Sequence, residues 1–246
     1  MDDAASCNWR AGPHRRHVTF LAEFRDAMAS AADFALDLAM PAICVGCYRD
    51  GTTLCRECGR TLDERLRRDS AARDGLAGEP PAPLHQLEWC APFSGITLRA
   101  LARLSDTGER RLSTRLGAAL ATRWAAAGRA GDVLVPVPAS RQRIESLGYD
   151  EAVLLARAAG RRLRLPVVEA LTRTPSVSPG IPRTFDVIAP AGTDGRTVVL
   201  VDDVVTTGAT LAACATALLQ AGAKAVSAIT VARDLVTAPR ELAAAS

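Results

Sequence analysis

Lysine is all but missing from this chain: Lys224 is the only one, and arginine carries the rest of the basic charge. Histidine is scarce too, with His14, His17 and His85 all lying before residue 86. These absences exclude several chemistries from the C-terminal two thirds. A P-loop needs its lysine, a Schiff-base enzyme needs a lysine amine, and a Ser-His-Asp triad needs a histidine. The net charge of +3 is too small to argue for a nucleic-acid partner. The first 20 residues run from acidic to basic with no apolar core of a secretory signal, and no long uncharged apolar run follows. The expected location is therefore the cytoplasm, with no membrane span.

What is present is a chain of 246 residues, 48% hydrophobic, enough for one sizeable α/β domain and a small appendage. Phe20, Phe24, Met28, Phe34 and Leu38 recur at helical spacing among Glu23, Asp26, Asp33 and Asp37. This predicts an amphipathic helix packing on its own protein, since the charges forbid a membrane span. A Gly- and Pro-rich stretch, RDGLAGEPPAP, precedes residue 84 and marks the best boundary. The expected organisation is a tail and helix over 1–35, a cysteine module over 36–62, a linker over 63–85, the main domain over 86–236 and a tail over 237–246.

Cys44-Val-Gly-Cys47 and Cys55-Arg-Glu-Cys58 form two C-x-x-C knuckles separated by a short loop. Each knuckle brings two thiolates to one ion, and Zn²⁺ takes four in a tetrahedron. Two disulfides are the alternative, which a cytosolic chain disfavours. A site closed by four sulfurs has no open position and reads as structural. Cys7 falls in the tail, while Cys90 and Cys214 fall in an expected strand and helix as small apolar residues. Arg103, Arg110, Arg111 and Arg115 read as a solvated face of a helical stretch from about Ile96 to Ala127.

Two apolar runs matter for function. Asp132-Val-Leu-Val-Pro-Val-Pro138 predicts a strand that its prolines stop, followed by Ala139, Ser140, Arg141, Gln142 and Arg143. Ligands of open α/β sheets bind at that end, where backbone N–H groups and arginines can hold a pyrophosphate. Gly148-Tyr149-Asp150-Glu151 then opens a helix over Ala152–Leu163. The second run, Val198–Val201, predicts a strand buried on both faces. It is followed by Asp202 and Asp203, two valines, a turn at Thr206-Thr207-Gly208-Ala209-Thr210 and a helix over Leu211–Ala221. The turn offers N–H groups, hydroxyls and a helix N-terminus to an anion, and the aspartates can accept from vicinal ribose hydroxyls. Together they describe a ribose 5-phosphate site.

VVLVDDVVTTGAT resembles the PRPP-binding motif of type I phosphoribosyltransferases. With the two cysteine knuckles, VPVPASRQRIESLGYDEAVLLARAAGRRL and Leu171-Thr172-Arg173 before it in that order, the chain resembles the ComF family over about residues 36–233. The name ties that family to DNA uptake in competent bacteria. The resemblance implies a type I phosphoribosyltransferase-like α/β fold, a mostly parallel sheet flanked by helices, preceded by a four-cysteine zinc module and an N-terminal helix. It implies PRPP as ligand, with Asp202 and Asp203 on the ribose and offsetting its positive charge during transfer. Thr206, Thr207, Gly208, Ala209 and Thr210 would hold the 5-phosphate, and Pro138, Ala139, Ser140, Arg141 and Arg143 the diphosphate. Mg²⁺ would arrive with PRPP, and a nitrogen nucleophile would accept the phosphoribosyl group. The alternative is a PRPP- or nucleotide-binding accessory protein whose zinc module docks a partner of a DNA-uptake system. A nucleic-acid-binding zinc ribbon has least support, since Tyr48 is the module's one aromatic stacker.

Three departures from the family pattern stand out. Asp150-Glu151 occupies the place of Asn-Gln. Ser105-Asp106-Thr107-Gly108 lacks the family's lysine. Thr174–Gly195 has four prolines and neither Gln nor Asn, leaving Arg183 and Phe185 as remnants of a loop that closes over the site. Ribose-phosphate binding without brisk turnover is the expectation.

Overall fold

In the computed structural model the described residues are 42–68, 79–107, 111–128, 130–174 and 184–235. The helix expected over Phe20–Leu38, Cys7, Arg110, Arg183 and the C-terminal tail lie outside them. Two units are distinguished. In the first, Ile43 and Asp50 form an antiparallel bridge and the Gly51 N–H donates to the Ala42 carbonyl at 2.8 Å. The second, Cys44–Tyr48 and Thr53 onward, contains everything that follows.

Its elements in chain order are α1 (Arg56–Arg68), β1 (Leu87–Pro92), α2 (Gly95–Thr107), α3 (Arg111–Ala126), β2 (Val133–Pro136), α4 (Arg141–Leu147) and α5 (Glu151–Leu163). Then come β3 (Leu171–Arg173), β4 (Phe185–Val187), a 3₁₀ turn (Pro190–Gly192), β5 (Thr197–Val205), α6 (Ala209–Gln220) and β6 (Ala225–Arg233). The boundary expected after residue 62 falls inside α1, whose Leu62 and Leu66 are buried with the core of the domain. The stretch expected as one helix from Ile96 to Ala127 is two helices, α2 and α3.

Four strands form a parallel sheet in the order β1-β6-β5-β2, and Val167 adds a parallel bridge to Leu134 beyond β2. Side chains alternate across a strand, so the apolar run of β5 serves two cores at once. Val199 and Val201, with Leu134, Ile229 and Val231, face a cluster that includes residues of α1, α2, α3 and α5. Val198 and Leu200, with Val133, Val135, Val226 and Ala228, face Leu211, Cys214, Ala215 and Leu218 of α6. Leu62, Leu104, Leu116, Leu120 and Leu155 are fully buried on the first face. Each contributes roughly 1.5–3 kcal/mol relative to exposure. Cys90 and Cys214 are buried within this packing, as their apolar surroundings suggested.

β5 is longer than its sequence implied. The acidic pair was expected to follow the strand, yet the strand continues through Asp202 and Asp203 to Val205. Its neighbour explains this: β6 is nine residues long and supplies Thr230, Ala232 and Arg233 as partners for Asp202, Val204 and Val205. The segment expected as a loop over Thr174–Gly195 likewise contains β4, paired antiparallel with β3 through Arg173–Phe185 and Leu171–Val187. Phe185 is buried there, with the Arg173 guanidinium 5.8 Å from its ring centre.

The position of α5 depends on Gly117 in α3. A Cβ at 117 would lie 2.4 Å from the Ala158 Cβ and 2.9 Å from the Leu155 carbonyl oxygen, so the helices approach as closely as they do because no side chain is there. Gly117→Ala is expected to lower stability by about 1–3 kcal/mol through overpacking. Urea unfolding checks this; an unchanged midpoint would mean that α3 moves aside freely.

Candidate functional site

Adjacent parallel strands of unequal length create the site. β2 ends at Pro136, and after the Val137 N–H reaches the Val201 carbonyl at 2.9 Å its ladder with β5 stops. β5 runs on for four more residues with β6 on its other side. Where β2 departs, a cavity of about 550 Å³ opens, lined by Pro138, Ala139, Ser140, Arg143, Asp150, Glu151, Arg173, Asp202, Asp203, Thr206 and Gly208–Leu211, among others.

One side of the cavity is a turn and a helix start. Gly208 sits at φ +79° and is buried, and a Cβ there would lie 2.6 Å from the Pro81 Cγ. Glycine meets both demands. The N-cap position of α6 is Gly208, which brings no side chain to cap the helix. Its first N–H groups lack intrahelical partners by geometry, and the residues that carry them line the cavity. Ala209 N–H donates to Thr207 Oγ1 at 3.3 Å, and Thr207 itself is not part of the lining.

On the opposite side, Ser140 caps α4 by accepting from the Arg143 N–H at 3.3 Å. Arg141 and Arg143 were expected to act together. Two residues apart on a helix they point about 200° apart, so only one can face the cavity. Arg143 does. Arg141 is exposed, pairs with Glu145 at 2.8 Å and lines a neighbouring groove instead.

Asp150 joins the two halves. It caps α5, one carboxylate oxygen accepting from the N–H groups of Ala152 at 2.9 Å and Val153 at 3.3 Å. The other accepts from the Ala139 N–H at 2.8 Å, tying the proline-ended loop to α5. Asp150, Glu151 and Arg173 were not among the expected site residues. For the acids the available signal was their place in the first turn of a helix beside the loop. For Arg173 it was the Leu-Thr-Arg element.

Four carboxylates thus share the cavity with two guanidiniums. Burial, then repulsion from Asp203, holds Asp202 well above the usual carboxylate range. Burial raises Asp203 and Asp150 as well, although each accepts backbone N–H groups that oppose the rise. Asp203 N–H donates to Asp202 at 2.9 Å and Val204 N–H to Asp203 at 2.7 Å, so both side chains are fixed beside the strand end.

The four cysteines converge separately. Their sulfurs all lie within 4.8 Å of one another, with Cys47 and Cys55 at 3.8 Å. Four sulfurs about 2.3 Å from one ion in a tetrahedron would be about 3.8 Å apart, so the cluster fits a single metal. All four are free thiols. Cys55 N–H donates to Cys44 Sγ at 3.4 Å and Cys58 N–H to Cys55 Sγ at 3.5 Å, the outer bonds that thiolate ligands attract. Arg99 reaches the Val45 carbonyl at 2.7 Å and Arg115 the Gly59 carbonyl at 2.8 Å, bracing the knuckles from α2 and α3. Arg115 also pairs with Asp63 at 2.9 Å, so the face read as solvated is in part a brace.

Residues 144–245 match the phosphoribosyl transferase domain family. Over 108 residues the chain is 36% identical to competence protein ComFC of Bacillus subtilis (strain 168). Over the matched residues the chain is similar to the phosphoribosyl transferase domain family and to ComFC. The alignment spans 42% of this chain and 45% of ComFC, less than half of that relative. Among solved structures, glutamine PRPP amidotransferase from B. subtilis is 22% identical over 48% of this chain and 25% of its own, with a TM-score of 0.37. Purine phosphoribosyltransferase from Pyrococcus horikoshii is 22% identical over 48% and 70%, with a TM-score of 0.33. These low scores add nothing about ligands. The protein has a mostly parallel sheet flanked by helices and a four-cysteine cluster ahead of it in the chain. No helix among its described residues is long and apolar enough to cross a membrane.

The raised Asp202 has a consequence for stability. A carboxyl that binds its proton more tightly when folded makes the native state lose stability as pH rises from the ordinary value of 3.8 through the raised one. Below 3.8 that cost is absent; above the raised value it is complete. Asp202→Asn should therefore be more stable than the parent protein near pH ~8, with the difference shrinking on acidification. Thermal unfolding across pH checks this, and parallel curves for the two proteins would contradict it.

Proposed function

We propose that this protein binds PRPP, or a ligand carrying ribose 5-phosphate, in the cavity at the ends of β2 and β5. The observation that carries the reading is the glycine-opened start of α6, lining the same cavity as the adjacent Asp202 and Asp203. Thr206 and Gly208–Thr210 would take the 5-phosphate, Asp202 and Asp203 the ribose hydroxyls, and the Pro138–Ser140 loop with Arg143 the diphosphate. Mg²⁺, which prefers phosphate oxygens and a few carboxylates, would enter with the diphosphate, and the carboxylates of the cavity suit such a cation. Transfer of the phosphoribosyl group to a nitrogen acceptor is one outcome of that binding. A non-catalytic accessory role in DNA uptake is the second reading, favoured by the composition of Thr174–Gly195, which offers few donors to a departing diphosphate.

Calorimetric titration with PRPP and Mg²⁺ should show binding, accompanied by a rise in melting temperature. Asp203→Asn should weaken binding by about 1.5–3 kcal/mol through lost charge-assisted hydrogen bonds. No heat and no shift at millimolar PRPP would end this reading. Pyrophosphate release, screened across nucleobases, then separates the two roles: fast release with any base rules out the accessory one.

The cysteine cluster holds a structural Zn²⁺ in this proposal. Spread thiols would not behave as these do: Cys44 is brought down to about 6, since backbone N–H groups of Cys55, Cys47 and Gly46 together outweigh its burial. Cys58 is pushed up to about 12 by burial and by the other three thiols. A divalent cation removes that mutual repulsion. Protein purified without chelator should carry about one equivalent of zinc, and Cys47→Ser should lose it. Elemental analysis without zinc, or four freely titrating thiols, would refute the assignment.

A further inference from the structure

Arg143 is borne by a short helix with no buried residue, anchored at its end by the half-buried Leu147. α4 spans seven residues, Arg141–Leu147. An arginine on such a helix would sample many rotamers, and ordering it on a ligand would cost entropy. In the structure it is not loose. Its Nε donates to Glu151 Oε1 at 2.7 Å, and among the described residues this is the guanidinium's one side-chain hydrogen bond. The partners differ in exposure: the Arg143 side chain is 42% accessible and that of Glu151 only 5%. Removing Arg143 from Glu151 would leave a buried carboxylate uncompensated, which is strongly unfavourable. Arg143 therefore stays on Glu151, which also holds it more firmly protonated. With Nε occupied, the two Nη groups remain for whatever enters the cavity that both residues line.

We infer that Glu151 is a positioning residue: it pins Arg143 by Nε so that the Nη fork faces the cavity and reads the diphosphate of PRPP, distinguishing it from ribose 5-phosphate. This rests on the ribose-phosphate reading above. The ordered fork can grip a diphosphate bidentately at little entropic cost. Ribose 5-phosphate lacks that group and gains nothing from the fork. The fixed N-terminus of α5, capped by Asp150 and seated by Gly117, gives Glu151 a rigid base.

The test measures affinities for PRPP and ribose 5-phosphate in one magnesium-containing buffer and compares their ratio. Glu151→Ala should lower the preference for PRPP by about tenfold or more, as loss of a charge-assisted contact would. Glu151→Gln, which keeps an acceptor for Nε, should fall between. Arg143→Ala should lower the preference as far as Glu151→Ala, and the double variant should lose no more, because both changes remove one device. Simple electrostatics predicts the opposite sign, since deleting a carboxylate from the cavity should favour the more highly charged ligand. A raised preference in Glu151→Ala, or equal changes for both ligands, overturns the inference. So does a parent protein that binds the two ligands equally. A parent that binds neither ligand instead fails the reading on which the inference rests.

Discussion

Two prolines end β2 while β5 runs on, and everything at the site follows from that mismatch. A parallel ladder has to stop where a residue without an N–H meets a chain that turns away. β5 cannot stop there, because β6 still offers partners on its other side. Asp202 and Asp203 are therefore held rigidly in a strand and yet exposed along one edge to a cavity. A loop could have placed the same carboxylates, but with less precision than a nine-residue strand packed on both faces.

That rigidity has an electrostatic cost, seen in the raised proton affinities of Asp202, Asp203 and Asp150. Carboxylates so close together and so dry are poorly solvated until a counter-charge arrives. Hydrogen-bond donors or positive charge entering the cavity would relieve that cost.

The supporting layer is as specific as the cavity wall. Asp150 uses both oxygens on backbone N–H groups, fastening the Pro138–Ser140 loop to α5. Glu151 spends its carboxylate on Arg143. An Asn-Gln pair, the resemblance's usual occupant of these positions, could accept the same hydrogen bonds but would bring no charge to Arg143. Acidic residues at a helix start are also favoured by the helix dipole, so this substitution agrees with its local setting.

Local chemistry carried much of this in the sequence itself. The Val198–Val201 run, the prolines of Asp132–Pro138, the turn at Thr206–Thr210 and the two cysteine knuckles each state a strand, a stop, a turn into a helix or a four-sulfur cluster, because each depends on neighbours along the chain. Tertiary structure decided what depends on neighbours in space. Only β6 could extend β5 through the aspartates, and only pairing with β3 could make a strand of Phe185–Val187. Only the helical phase of α4 could separate Arg143 from Arg141, and only the approach of α5 to the proline-ended loop could bring Asp150 and Glu151 into the site. Periodicity and motif report the first kind of constraint; strand partners, helix phase and buried ion pairs belong to the second, because they join residues whose separation along the chain carries no trace of their contact.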